Sequence, residues 1–315
     1  MTDLAPEPIL QPKRKPRWLA PLKITLLSVV LAFVGWALWK NWQKLAASDT
    51  PIHIRPLPLL GTLVMLMAVA VVQAVSYRTL LGAFATAPAW RAMPTIAWVP
   101  PMGKYIPGGA VVAAVAMLRR LNIAVPVAVA VVLVQDGLAQ LAGLIFSAPL
   151  LWWQPVSDRV PWAKWLAGPA IIAALVCLWP RVFAFLINTA LRVLKRPPLP
   201  RTPAMAKYAV PMACAFFQWV LHGAALGFIV QSVTGVPPWP HFLLMMSFAA
   251  LSQTIGYFVI FAPGGLGPRE AVLLACLTPL VGPLAAVIVP IRAIAQVVVD
   301  LTMGAIGLGV ASAKK

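Results

Sequence analysis

Charged residues are scarce in this sequence. They make up 10% of its 315 residues, whereas a typical soluble domain carries about 25%. Hydrophobic residues account for 61% of the chain, and its mean hydropathy is +0.89. This balance excludes an ordinary soluble domain, because most of the apolar side chains would find no core in which to be buried. It indicates a multi-spanning membrane protein.

Cysteine and histidine are almost as rare, with three residues of each. They lie far apart and form no CxxC or HExxH motif, so we predict neither a disulfide nor a bound metal. The sequence also has no GxSxG and no Walker motif. These absences argue against a serine hydrolase of that class and against ATP hydrolysis by this chain.

One string, Asp136-Gly137-Leu138-Ala139-Gln140, is similar to the start of the CDP-alcohol phosphotransferase motif. The arginine of that motif is missing here, and so are its later carboxylates. A metal site of that kind needs several carboxylates. We therefore expect a protein that is not an enzyme and that uses no cofactor.

Acidic residues are outnumbered, with seven Asp and Glu against 25 Lys and Arg, for a net charge of +18. In a soluble protein this excess would suggest nucleic-acid binding, but no DNA- or RNA-binding motif accompanies it. The basic residues lie between the apolar segments. We predict that they set the membrane topology and contact anionic lipid headgroups, and that nucleic acid is not a partner.

Apolar segments long enough to cross a bilayer recur along the chain. They lie at 21–39, 57–82, 125–152, 163–191, 208–231, 242–262 and 284–310. Two further segments, 93–118 and 268–281, are interrupted or too short to be simple spans. We predict a basic cytoplasmic tail over 1–20, followed by a single all-α transmembrane domain over 21–315. This polytopic bundle has about seven spans plus two re-entrant broken helices.

The basic residues also predict the orientation. The tail and the Lys- and Arg-rich loop near 192–207 should both be cytoplasmic, and the loop at 232–241, which lacks Lys and Arg, should face outward. Arg119 and Arg120 fit this scheme if 93–118 dips into the membrane and returns. They conflict with it if that segment crosses fully. We therefore favour a hairpin there, in a bacterial inner-membrane protein with a cytoplasmic N-terminus.

Two proline- and glycine-rich strings interrupt the apolar segments. The first break is Gly103–Gly109 (GKYIPGG), and the second break is Pro263–Glu270 (PGGLGPRE). Irregular backbone at membrane depth survives only where protein buries it or where it lines a wet cavity. Such breaks are typical of a passage for a polar or charged group. We predict that the breaks contribute ligand-binding residues: Lys104, Tyr105, Gly108, Gly264, Gly265, Arg269 and Glu270.

Each of these assignments has a structural alternative. Lys104 would reach the headgroups by snorkelling. Arg269 and Glu270 would pair with each other, or Glu270 would cap a helix and hold the shape of the break. The functional interpretation is that Arg269 binds a lipid phosphate while Glu270 orients it.

Charged side chains also occur inside the predicted spans. Arg292, Gln296 and Asp300 share one helix face because they are spaced by four residues. We predict that Asp300 pairs with Lys104 or Arg78, and that Asp136 pairs with Arg292 or Arg269. Arg292, Asp300 and Asp136 are therefore added to the candidate binding residues. The alternative is that these groups form buried ion pairs that only lock the bundle together.

Three strings in a consistent order resemble one family: Tyr77-Arg78 with Leu80-Leu81, then the first break, then the second break with Ala271. This is the lysylphosphatidylglycerol synthase transmembrane region family, which includes the membrane half of MprF and the YbhN-like proteins. Pro268 departs from the pattern, which often has valine or another small apolar residue there. The resemblance implies lipid transport. In MprF a separate soluble domain makes the lipid, and this sequence shows no such domain beside the three motifs. We therefore do not expect lipid synthesis.

These observations leave two functions open. The first is a flippase or transporter for a polar-headgroup lipid of phospholipid, aminoacyl-lipid, isoprenoid or hopanoid type. The second is a non-catalytic membrane subunit that presents lipid to a separately encoded lipid-modifying transferase. A third, an intramembrane lipid-modifying enzyme, is disfavoured because no catalytic constellation is recognised. Membrane lipids are the expected partners in every case.

Overall fold

The computed structural model describes residues 53–105, 109–119, 123–158, 161–193, 206–259, 265 and 267–312, together with Trp36, Trp39, Trp42 and Gln43. The described part contains helices and turns but no strand, which confirms the predicted all-α class. The predicted tail over 1–20 lies outside the described residues, as does nearly all of the predicted span 21–39.

Nine helices of more than ten residues occur in the described part. They are α1 (Pro56–Phe84), α2 (Gly109–Arg119), α3 (Val125–Ser147), α4 (Ala163–Leu178), α5 (Pro180–Val193), α6 (Ala206–Thr234), α7 (Phe242–Phe258), α8 (Pro268–Val281) and α9 (Ala285–Ser312).

Four stretches are long and apolar enough to cross a membrane: α1, α3 with its following turn, α6, and the run from α8 through α9. They match the predicted spans 57–82, 125–152, 208–231 and 284–310. The protein is therefore an all-α, multi-pass membrane bundle.

The predicted span 163–191 is two helices, α4 and α5. The chain leaves the helical conformation at Trp179, whose φ and ψ are −62° and 125°, and α5 starts at Pro180. Proline has no backbone N–H and disfavours the helical conformation in the residue before it. The apolar composition on both sides of Pro180 concealed this interruption.

The centre of the bundle is the packing of α1 along α6. Thr62 Oγ1 donates a hydrogen bond to the Ala225 carbonyl at 3.2 Å. At the start of α1, the Arg55 N–H donates to the Ser232 carbonyl at 3.0 Å, and Ser232 Oγ donates back to Arg55 O at 2.8 Å. These polar contacts fix the register of α1 against α6, and the apolar side chains around them, such as Leu66 and Leu226, are buried.

The segment 90–105, which leads into the first break, contains no α-helix. It consists of a 3₁₀ helix (Trp90–Ala92), a π-helix (Pro94–Trp98) and a second 3₁₀ helix (Pro100–Tyr105), and α2 follows from Gly109. The predicted interruption of 93–118 is therefore present. Prolines at positions 94, 100 and 101 explain it, because each lacks the N–H that an α-helix needs.

Segment 90–105 lies against the C-terminal half of α9. Thr95 Oγ1 donates a hydrogen bond to the Gly307 carbonyl at 3.0 Å, and Met102 lies against Gly304. Small residues allow this approach, as they do at other close contacts between membrane segments.

Gly307→Ala should therefore destabilise the protein. A methyl group at Gly307 would lie 2.6 Å from the Pro94 carbonyl oxygen, which belongs to the backbone and cannot rotate away. Overpacking of this kind costs about 1–3 kcal/mol, and thermal unfolding in detergent measures it. Gly309→Ala is the matched control, because nothing lies within 4 Å of its added methyl group. Equal stability of the two variants would contradict this packing.

The second break joins α7 to α8. Gly265 and Gly267 have φ values of +69° and +95°, a region that glycine adopts without steric cost. Gly265 packs on the last turns of α7, where a methyl group at this position would lie 2.7 Å from the Gly256 carbonyl oxygen. The second predicted re-entrant segment is thus a break followed by one helix, α8, which packs against α7.

Candidate functional site

Five of the predicted charged residues meet where segment 90–105, the start of α8 and the middle of α9 approach one another. Lys104 comes from the first break, Arg269 and Glu270 from the start of α8, and Arg292 and Asp300 from α9. Arg269, Glu270, Arg292 and Asp300 are between 6% and 9% exposed. We call these five residues, with Gln296 and His222, the central cluster.

A continuous chain of polar contacts crosses this cluster. Lys104 Nζ lies 2.6 Å from Asp300 Oδ2, so the predicted pairing of these two residues is present. Asp300 Oδ1 accepts a hydrogen bond from Gln296 Nε2 at 3.0 Å, and Gln296 Oε1 accepts one from Arg292 Nη1 at 3.1 Å. The four-residue spacing on α9 produces this ladder, because it stacks the three side chains on one face.

His222 of α6 ends the chain of contacts. Its Nδ1 lies 3.3 Å from Arg292 Nη2. An arginine can only donate, so His222 Nδ1 must accept, and its lone pair is free of a proton. The imidazole is therefore neutral in this arrangement. The sequence placed His222 one turn from Gln218 inside an apolar helix but gave no sign of its contact with Arg292.

The second break is held by Arg269 and Glu270. Glu270 Oε1 accepts from Arg269 Nε at 2.8 Å and from Arg269 Nη2 at 2.6 Å. Glu270 Oε2 accepts from the Gly267 N–H at 2.7 Å, which caps the first turn of α8. Both structural alternatives, the ion pair and the helix cap, are therefore present. Arg269 Nη1 donates to no described residue. The ion pair therefore uses only the Nε and Nη2 donors of the guanidinium.

A small cavity lies between the two arginines. Its volume is about 10 Å³, room for roughly one water molecule. Arg269, Glu270 and Arg292 line it, with Ser252 and Gln253 of α7. Sequence reasoning missed Ser252 and Gln253. The signal for them was the run of three polar residues, Ser252, Gln253 and Thr254, in a mostly apolar helix.

The charges of the central cluster do not cancel. Its described residues include three cationic side chains, Lys104, Arg269 and Arg292, and two carboxylates, Glu270 and Asp300. The excess is one positive charge, wherever the proton of the Lys104–Asp300 pair resides. Lys104 lies close enough to both arginines for their charges to interact. Charged side chains inside a membrane bundle pair with one another or with backbone, or mark the path of a substrate.

Other predicted site residues lie elsewhere or outside the described part. The predicted pairing of Asp136 with Arg292 or Arg269 is wrong. Asp136 instead accepts a hydrogen bond from Tyr257 Oη at 3.1 Å. Gly265 belongs to the turn before α8. Gly108 and Gly264 lie outside the described residues, and so does the side chain of Tyr105.

Arg78, the other predicted partner of Asp300, lies in a different environment. Its Nε donates to the Pro88 carbonyl at 3.1 Å, and its guanidinium lies 4.4 Å from the centre of the Trp90 ring. These contacts tie the end of α1 to the beginning of segment 90–105. Arg78 therefore positions the first break without entering the central cluster.

Comparison with known proteins agrees with this architecture. A family model described as the lysylphosphatidylglycerol synthase TM region matches residues 22–304, and this range contains both breaks and every residue of the central cluster. No match is found among curated proteins. The family match makes this a membrane protein of lipid metabolism or transport. The chain belongs to the lysylphosphatidylglycerol synthase TM region family.

Proposed function

We propose that this protein is a flippase or transporter that moves a polar-headgroup lipid across the bacterial inner membrane, with its N-terminus in the cytoplasm. The observation that carries the proposal is the central cluster. Apart from the partly exposed Lys104 it is buried, its residues come from both breaks and from the middle of α9, and three of its side chains are cationic. Charged groups in such positions are typical of substrate pathways.

The chemistry of the cluster suits a phosphate group. Arg269 retains N–H groups that no described residue accepts, and Arg292 lines the same cavity. Guanidinium groups bind phosphate through paired hydrogen bonds. A phosphodiester carries one negative charge and would cancel the excess charge of the cluster. In this proposal the acyl or isoprenoid tails stay in the surrounding lipid.

The arrangement described above corresponds to a closed state. A cavity of about 10 Å³ holds a water molecule but no headgroup. We infer that headgroup entry separates segment 90–105 from α9, which requires the Lys104–Asp300 contact to open. An incoming phosphate would replace Asp300 as the partner of Lys104, so the charge of this lysine would stay compensated during the exchange.

Lipid transfer by the purified protein in liposomes tests the proposal. Headgroup-labelled phospholipid and polyprenyl phosphate are the two probes, and the wild type is expected to transfer at least one of them. Arg269→Ala should abolish transfer because it removes the guanidinium that binds the phosphate. Only protein shown to be folded is compared, since the substitution also leaves Glu270 without its ion-pair partner. Arg181→Ala is the matched control, since it removes the same side chain from an exposed position on α5.

Two results would count against this function. Transfer by Arg269→Ala at the wild-type rate would remove the central cluster as the binding site. No transfer of either lipid by folded wild-type protein would favour the second role, a subunit that presents lipid to a separate transferase. Co-purification with such an enzyme would then be the next observation to seek.

A further inference from the structure

A second polar cluster lies between α3 and α7, apart from the central cluster. On α3, Asp136, Gln140 and Gly143 share one face because they are spaced by four and three residues. On α7, Tyr257 lies opposite Asp136, and Thr254 lies opposite Gly143. The two helices therefore run antiparallel here, and Gln140 sits between the two contacts.

Asp136 differs from Glu270 and Asp300, the other two carboxylates in apolar helices, in its lack of a described cationic partner. Glu270 and Asp300 are each paired with a cationic side chain. Among the described residues, no Lys or Arg nitrogen lies within 4 Å of Asp136, whose hydrogen-bond partner is the Tyr257 hydroxyl. An ionised carboxylate in an apolar helix needs compensation, and this one does not receive it from a described cation.

Two neighbouring oxygens are also unsatisfied. Gln140 Oε1 and Thr254 Oγ1 are buried, and neither has a hydrogen-bond partner in the described part of the chain. The Thr254 residue is only 2% exposed. A buried polar atom without a partner is costly, so the presence of two on facing helices requires an explanation.

We propose that Asp136, Gln140, Thr254 and Tyr257 form a binding site for a sodium ion. All four offer oxygen, which hard cations prefer. One carboxylate balances one positive charge, whereas a divalent ion would leave an excess charge in the bundle. A protonated Asp136 could donate a hydrogen bond to only one of the two oxygens, Gln140 Oε1 or Thr254 Oγ1. A sodium ion would be coordinated by both. A lipid ammonium group is bulkier than a bare sodium ion and would not fit among the buried Gln140 and Thr254 oxygens.

The site connects directly to the packing of the bundle. A methyl group at Gly143 would lie 2.6 Å from Thr254 Oγ1, so the glycine is what lets this hydroxyl reach α3. Tyr257 is 46% exposed, which leaves an entrance at the Asp136 end. Bound sodium would draw α3 and α7 together, and α7 leads into the second break. On the proposed transport function, sodium bound here would couple its own movement to that of the lipid.

Binding of radiolabelled sodium to the purified full-length protein tests this site directly, without reference to lipid transfer. The wild type should bind sodium saturably, and excess choline should not compete. Loss of even an outer-sphere partner typically weakens metal binding by about 10- to 100-fold. We therefore expect Asp136→Asn and Thr254→Val to bind sodium at least about tenfold more weakly.

Conservative variants separate binding from folding. Thr254→Ser keeps the hydroxyl and should bind like the wild type, whereas Thr254→Val keeps the shape and should not. Asp158→Asn, at an exposed carboxylate, is the matched control for Asp136→Asn. Absence of saturable sodium binding in the wild type would overturn the proposal, and so would equal binding by Thr254→Val and Thr254→Ser. Either result leaves the lipid-transfer assay unaffected.

Discussion

Glu270→Ala is expected to lower the free energy of unfolding by about 3–5 kcal/mol, the cost of leaving one member of a buried ion pair without its partner. The substitution removes both hydrogen bonds to Arg269 and leaves its guanidinium buried. It also removes the acceptor for the Gly267 N–H at the start of α8. Chemical unfolding in detergent measures the loss.

Two further variants separate the contributions of charge and cap. Glu270→Gln keeps an oxygen for the Gly267 N–H but loses the charge, so it should remain strongly destabilised. Combining it with Arg269→Met removes the stranded cation and should restore most of the stability, because a buried pair can often be replaced by apolar groups. Asp158→Ala, at an exposed carboxylate, controls for the loss of an acid. Wild-type stability of Glu270→Ala would show that the pair is not buried as described.

Lys104→Met is expected to abolish lipid transfer and to destabilise the protein by about 3 kcal/mol, since Asp300 then lacks its cationic partner. The expected cost is at the lower end for buried pairs because the Lys104 side chain is 26% exposed. Adding Asp300→Asn removes the carboxylate charge that faced Lys104 but keeps an oxygen for Gln296 Nε2. The double variant should therefore recover stability and remain inactive in transfer.

This pair of variants distinguishes a binding role for the Lys104–Asp300 pair from a purely structural one. If the lysine served only to hold the first break against α9, the double variant would recover transfer together with stability. Lys164→Met on α4 is the matched control, because it removes an exposed lysine. Recovery of transfer by the double variant would move Lys104 out of the binding site.

Much of the fold is predictable from the sequence because membrane spans leave a simple signal. Uninterrupted apolar length predicted α1, α3, α6 and α9 within a few residues. The same signal failed at Trp179 and Pro180, where the residues remain apolar although the backbone turns. An apolar composition indicates that a segment is buried in lipid or protein. It does not indicate whether the backbone stays helical throughout the segment.

The site was predictable where its contacts are local. Four-residue spacing predicted the shared face of Arg292, Gln296 and Asp300, and adjacency made the Arg269–Glu270 pair an expected alternative. Asp136 was assigned to the wrong partners because spacing along α3 does not say which helix faces it. The contact between His222 and Arg292 depends on the approach of α6 to α9 and has no local signal.

The two breaks differ in when their charges can be compensated during synthesis. Arg269, Glu270 and Gly267 are neighbours in sequence, so the second break can form its contacts as soon as α8 emerges. Lys104 is made and enters the membrane long before Asp300 exists, because chains are synthesised from the N-terminus. Contacts between residues so distant in sequence form late. The Lys104 end of segment 90–105 can therefore reach its final contacts only after α9 has inserted, whereas Trp98 can bond to the Ala70 carbonyl of α1 before that.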